Sequence, residues 1–118
     1  KTIYDPCPAG WRVPDGGSIG VWNKASFPSG SNAHSYDSSV EGMLFGSGIS
    51  SPATWYPAAG RCTGGGGDLI LVGDGGNYWS VTPYGSNAYG LYFSIGGYVS
   101  PTYNDYRAYG LSVRCLQE

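Results

Sequence analysis

Glycine interrupts this chain so often that a long helix has nowhere to form. There are 21 glycines in 118 residues, and each costs about 1 kcal/mol in a helix interior relative to alanine. No run of Ala, Leu, Glu and Lys offsets them. Tyrosine and β-branched residues gather in the second half instead, and these fit pleated, half-buried surfaces. Charged residues make up only 12% and aromatics 15%, a balance that suits a loop-rich, β-containing domain. A hydrophobic fraction of 41% supports a packed core rather than disorder. The length suffices for one domain, expected to span residues 1–118. The chain opens at Lys1 directly into a turn-rich segment, which reads as a mature fragment or a domain cut from a longer protein.

Charge and hydropathy exclude two classes of partner. The formal net charge is -2, and no Lys or Arg lies between Arg61 and Arg107. Nucleic-acid binding needs a clustered cationic face to displace counterions, so no nucleic-acid partner is expected. No apolar run approaches the roughly 20 residues that span a bilayer, so direct membrane insertion is not expected either. Cys7 and Cys115 lie near the two ends in ordered settings, Pro6-Cys7-Pro8 and Leu111-Ser112-Val113-Arg114-Cys115-Leu116. A bridge between them would staple the termini and imply an oxidising compartment; two buried free thiols are the plain alternative. Cys62 is left over.

Along the chain, Asp5 to Pro14 holds three prolines and a glycine beyond Asp5, which predicts an extended, turning segment anchored by Trp11 and Val13. Ser18 to Phe27 carries Ile19, Val21, Trp22 and Phe27 at spacings that suit a short amphipathic helix, diluted by Gly16, Gly17 and Gly20. Residues 28 to 51 read as loops around one strand at Met43-Leu44-Phe45. Trp55-Tyr56, Asp68 to Val72 and Asn77 to Thr82 read as further strands. Leu91 and Phe93 are expected to point inward with Tyr92 and Ser94 outward, and Val113 and Cys115 inward with Ser112 and Arg114 outward. The expected class is α+β: short antiparallel strands, long loops and little helix.

Catalytic constellations are missing. His34, the one histidine, sits in a Ser-Asn-Ala-His-Ser stretch read as a solvated loop, and no Cys-x-x-Cys pair exists for zinc. A Cys62–His34 nucleophilic pair has no spacing argument behind it. The cluster Gly64-Gly65-Gly66-Gly67 lacks the Gly-Lys-Ser/Thr of a phosphate loop. Asp68 and Asp74 are candidate calcium ligands, but their spacing matches no EF-hand. No paired carboxylates are nominated for glycoside hydrolysis. The chain is therefore expected not to be an enzyme, with no cofactor and no metal.

Four segments carry a resemblance. Asp5-Pro6-Cys7-Pro8-Ala9-Gly10-Trp11-Arg12-Val13-Pro14, Tyr56-Pro57-Ala58-Ala59-Gly60, Tyr78-Trp79-Ser80-Val81-Thr82 and Arg107-Ala108-Tyr109-Gly110-Leu111-Ser112-Val113-Arg114-Cys115 resemble motifs of the FISUMP group, the major paralogous domain of bacterial surface lipoproteins. The resemblance implies a C-type-lectin-like fold. The glycines after Val13-Pro14 shorten the helix that the group carries there. Formylglycine-generating enzymes share the broader fold, but their paired-cysteine centre has no counterpart here beyond Cys62.

The stretch 80–113 holds no Lys, Glu, Gln, Met, Trp, His or Cys, and eight of the eleven tyrosines fall at or after Tyr78. This set is close to what arises when the adenines of an AAC codon are replaced by any base. It resembles the variable region of a diversity-generating retroelement target protein. Physically it also resembles a paratope: Tyr gives large contact area at low entropic cost, while Ser, Gly and Asn give adaptable hydrogen bonds. A tyrosine-paved β surface with no binding role is the bland reading. Contacts are expected from Val81, Tyr84, Ser86, Asn87, Tyr89, Ser94, Tyr98, Ser100, Thr102, Tyr103, Asn104, Asp105, Tyr106 and Tyr109. Trp79, Leu91, Phe93, Val113 and Cys115 are expected to be scaffold. The expected function is ligand display on a bacterial cell surface or phage particle, toward a protein or glycan on another cell. A fixed-specificity carbohydrate-binding adhesin module is the alternative.

Overall fold

The structure, a computed structural model, describes residues 1–25, 34–46 and 54–118. The expected helix over Ser18 to Phe27 shrinks to a 3₁₀ turn, Gly17–Ile19, and one turn of α-helix, α1, Val21–Lys24; residues 26 and 27 lie outside the described residues. Gly20 stands between them in extended conformation. A Cβ there would fall 2.6 Å from the Asp15 carbonyl oxygen and 2.7 Å from the Gly16 Cα. The chain therefore coils too tightly at Gly20 for any side chain, and that coil keeps the 3₁₀ turn and α1 from joining into one helix.

Everything else regular among the described residues is β. The strands are β1 Trp11–Arg12, β2 His34–Asp37, β3 Gly42–Phe45, β4 Thr54–Pro57, β5 Arg61–Cys62, β6 Leu69–Ile70, β7 Gly75–Tyr84, β8 Asn87–Ser94, β9 Val99–Tyr106 and β10 Leu116–Gln117. The α+β class expected from the sequence is corrected: the protein is mostly β, with too little helix to form a layer. Among the described residues the strands form four small antiparallel sheets: β1-β10, β2-β3-β4, β5-β6 and β7-β8-β9. His34 lies in β2, not in a solvated loop; it is half-buried, with Nε2 2.9 Å from the Gly97 carbonyl oxygen. Asp68 to Val72 reads as a strand in sequence, yet only Leu69 and Ile70 pair, and Leu69, Ile70 and Val72 are exposed.

The core lies where β3, β4, β7 and β8 meet. Trp22, Met43, Phe45, Tyr56, Ala58, Tyr78, Leu91 and Phe93 form one buried cluster. The Phe45 ring meets Tyr56 edge-on at 5.3 Å and Phe93 at 6.0 Å, and Tyr56 meets Tyr78 edge-on at 5.1 Å, the arrangement that ring quadrupoles favour. Trp22 donates its indole N–H to the Tyr56 hydroxyl, and Tyr78 donates its own to the Pro57 carbonyl. The Trp22 indole and the Tyr56 and Tyr78 hydroxyls thus keep partners, whereas the side-chain amide of the fully buried Asn77 makes no hydrogen bond among the described residues.

β7 owes its length to long-range partners on its outer edge. Gly60 N–H donates to Gly75 O, Trp79 N–H to Ser112 O, Ser112 N–H to Asn77 O and Val81 N–H to Pro14 O. Cys7 and Cys115 are joined by a disulfide across 108 positions of sequence, and Cys62 is free. Beside the bridge, Trp11 pairs with Gln117 and Arg12 with Leu116, so the two ends are held covalently and by a ladder. Val113 is not inward as expected: it is 39% exposed and belongs to no strand.

Candidate tyrosine-bearing surface

Strand β8 divides the surface. Its side chains alternate, so Tyr89, Leu91 and Phe93 share one face while Tyr92 and Ser94 share the other. Leu91 and Phe93 are fully buried, as the alternation predicted. The partner strands absorb irregularities instead, with register shifts between Trp79 and Pro83 against β8 and between Gly90 and Tyr92 against β9. These bulges twist the ribbon near its hairpin end.

On the Leu91 face, beyond the core, lies one group of expected contact residues. Tyr84 and Tyr89 rings stand 4.8 Å apart, and with Ser18, Thr102 and Asn104 they line a shallow groove of about 310 Å³. Asn87 donates its amide N–H to the Asn104 side-chain oxygen at 2.9 Å. Tyr89 is also structural. A Cβ on Gly16 would lie 2.8 Å from the Tyr89 Cβ, and one on Gly17 3.0 Å from its ring, so the two glycines let β8 come close. Ser86 is exposed in the turn joining β7 and β8.

On the other face Tyr92 is central. Its ring lies 5.1 Å from Tyr103 and 5.9 Å from Tyr98, and it pairs across the sheet with Ser100. Ser94 stands two residues along the same face of β8. Sequence reasoning placed Tyr92 outward but left it out of the contact set, because its neighbours in β9 were invisible without the pairing. Past the end of β9, Tyr106 meets Tyr109 edge-on at 5.5 Å. Tyr98 is 58% and Tyr106 61% exposed.

Asp105 corrects the expected contact set. It is 6% exposed and holds Arg61 through a 2.5 Å contact from Nη1 to its carboxylate oxygen. The residue is locked, not displayed. The Arg61 guanidinium also lies 5.1 Å from the Tyr109 ring centroid. Burial alone would lower the Arg61 pKa; the Tyr103 phenol and the Asp105 carboxylate outweigh it, and the net shift is upward. Arg61 itself was missed. Its only signal in the sequence is that it is the last cation before a long cation-free stretch.

Val81 belongs to neither tyrosine group. It is 59% exposed and lines a larger groove of about 680 Å³ with Trp79, Val13, Val113, Tyr4 and Asp5. Trp79 and Val113, expected as scaffold, therefore line surface. Among the described residues no group of three or more His, Cys, Asp or Glu is placed to hold a metal ion. Asp68 and Asp74 are both exposed. Comparison with protein-family models, with curated proteins and with solved structures found no match.

Proposed function

We propose that the chain is a ligand-binding display domain of a bacterial or phage surface protein, of the kind diversified by a retroelement within 80–113. One observation carries the reading. Within that stretch, buried and exposed positions interleave on a single three-stranded ribbon, with Leu91 and Phe93 closed into the core while Tyr84, Tyr98 and Tyr106 stand at least half exposed. Such a ribbon tolerates change at its outward positions without loss of the core, and its tyrosines supply the rigid aromatic anchors that dominate interfaces. The ligand is a protein or glycan on another cell surface, and the domain acts without catalysis or cofactor. The Cys7–Cys115 bridge suits an oxidising compartment. Among the described residues no helix is long and apolar enough to cross a membrane.

The test is capture from cell-surface extracts by the native domain and by a variant carrying Tyr98→Ser, Tyr103→Ser and Tyr106→Ser. Loss of a specific captured protein in the variant, with folding unchanged, is expected; indifference to the three tyrosines defeats the reading. The neighbouring DNA gives a second check, since a reverse transcriptase gene and a near-repeat of codons 80–113 are expected there. The groove between Tyr84 and Tyr89 favours a second reading, fixed binding of a neutral glycan, because its lining of two rings, hydroxyls and amides carries no charge. A glycan array separates the two.

A further inference from the structure

Tyr103, from the Tyr92 face, and Tyr109, past the end of β9, both interact with one side chain from outside the proposed variable stretch. Arg61 belongs to β5, a two-residue strand. Its neighbour Cys62 fixes it to the far side of the ribbon through two backbone hydrogen bonds with Gly110, at 2.8 and 3.0 Å. From there the guanidinium reaches Asp105 through Nη1 and lies over the Tyr109 ring. Asp105 and Tyr103 stand two residues apart on β9 and so share its face. Tyr103 continues to Tyr92 and Tyr98 through ring contacts, and Tyr109 continues to Tyr106. Tyr84 and Tyr89 touch each other, and among the described residues no ring contact joins them to this chain.

We propose that Arg61 is a positioning residue for the binding surface, a fixed cation that holds Tyr103 and Tyr109, and through them Tyr92, Tyr98 and Tyr106, in one arrangement before any ligand arrives. The inference rests on the display reading above. A planar guanidinium suits the task because it pairs with a carboxylate and lies over a ring at once, which an ammonium does less well. Preordering matters for affinity because side chains immobilised only on binding each cost conformational entropy. It follows that Asp105, although inside 80–113, is a position the surface cannot vary freely. A change there would release the guanidinium and leave a half-buried charge without its carboxylate partner.

The probe is tyrosine nitration by tetranitromethane, with the rate at each residue read by peptide mass spectrometry on the disulfide-intact protein. In Arg61→Met, Tyr103 and Tyr109 are expected to nitrate several-fold faster than in the native protein. Tyr84 and Tyr89 serve as internal controls and keep their rates. Arg61→Lys, which retains charge but not the planar fork, should restore part of the protection. If Arg61→Met does not fold, Asp105→Asn loosens the same anchor with its shape conserved and is expected to give the same selective pattern. A uniform rise at every tyrosine would reduce Arg61 to a general stabiliser and overturn the proposal, as would unchanged rates at Tyr103 and Tyr109. Failure of the display reading is seen separately. Capture from surface extracts that ignores the tyrosines defeats that reading whatever nitration shows, whereas capture that depends on them alongside an inert Arg61→Met defeats the positioning role alone.

Discussion

Tyr78 joins the core to the strand that leads into the proposed surface. Its ring stacks on Phe93 at 6.3 Å and meets Tyr56 edge-on, while its hydroxyl donates to the Pro57 carbonyl at 2.6 Å. Burial pushes its pKa up to about 12, against the opposing pull of Arg114, and burial raises that of Tyr56 too. For an acid whose folded pKa is raised, stability is complete below the unfolded value, which for tyrosine is about 10. It is then lost as pH climbs toward the folded value, because the unfolded chain ionises first. Urea midpoints should therefore hold at pH 8 and fall steeply between about pH 10 and 12. Tyr78→Phe should be less stable at pH 8 by about 1 kcal/mol, the worth of a lost hydrogen bond, yet should lose less on alkalinisation. Parallel pH profiles for the two proteins would mean that the phenol is solvated. Gly76 gives a second outcome at this scale. A Cβ there would lie 2.2 Å from the Phe93 ring, so Gly76→Ala should cost about 1–3 kcal/mol by overpacking, measured by urea denaturation. In sequence Gly73-Asp74-Gly75-Gly76 reads as a turn before the Asn77 strand, because a glycine that makes room for a ring looks like one that bends the chain.

At the scale of elements, what was legible was local. The alternation of Leu91 and Phe93 against Tyr92 marked β8 and its core face, and Met43-Leu44-Phe45 marked β3. Period two needs no knowledge of partners. What was not legible depends on partners far away in sequence. β7 extends from Gly75 because Gly60, Ser112 and Pro14 bond its outer edge. β2 forms in a polar stretch because Ser35, Tyr36 and Asp37 pair with Leu44, Met43 and Gly42. The helix failed for a reason that spacing cannot reveal, since Gly16, Gly17 and Gly20 serve close approach rather than helix dilution. The candidate surface follows the same division: exposed Tyr84, Tyr98 and Tyr106 were foreseen, whereas buried Asp105 and the anchor Arg61 emerge only from tertiary contact. Substitutions should divide accordingly. Phe93→Ala empties a fully buried site and should cost about 3–5 kcal/mol, while Tyr98→Ser should change stability by no more than about 0.5 kcal/mol. Proteolytic stability of both variants measures the contrast. If Tyr98→Ser proves as damaging as Phe93→Ala, the outer tyrosines are structural.

For the whole molecule the question is what holds several small sheets together. Two-stranded ribbons are marginal alone in water, and β1-β10 and β5-β6 are each only two residues long per strand. The buried aromatic cluster joins the two three-stranded sheets, but neither Cys7 nor Cys115 belongs to it. The ends therefore rely on the bridge. Cross-linking residues 108 positions apart removes much of the freedom of the unfolded chain. In the chain-entropy model a loop of about 100 residues is stabilised by about 4.7 kcal/mol, and native bridges in small secreted domains contribute about 2–5 kcal/mol. The Cys7→Ser, Cys115→Ser double variant should therefore melt roughly 10 °C or more below the native protein, at about 4 °C per kcal/mol for a domain of this size. Reduction of the native protein should reproduce that fall, and Cys62→Ser should not. Hydrogen exchange reports how the loss is distributed. If the ends are held by the bridge more than by the core, the reduced protein should first lose protection from hydrogen exchange at β1 and β10. The amides of Leu91 and Phe93 should keep theirs until global unfolding. Were reduction to leave the melting temperature unchanged, the core and the β1-β10 ladder would suffice to hold the ends, and the bridge would matter for something other than equilibrium stability.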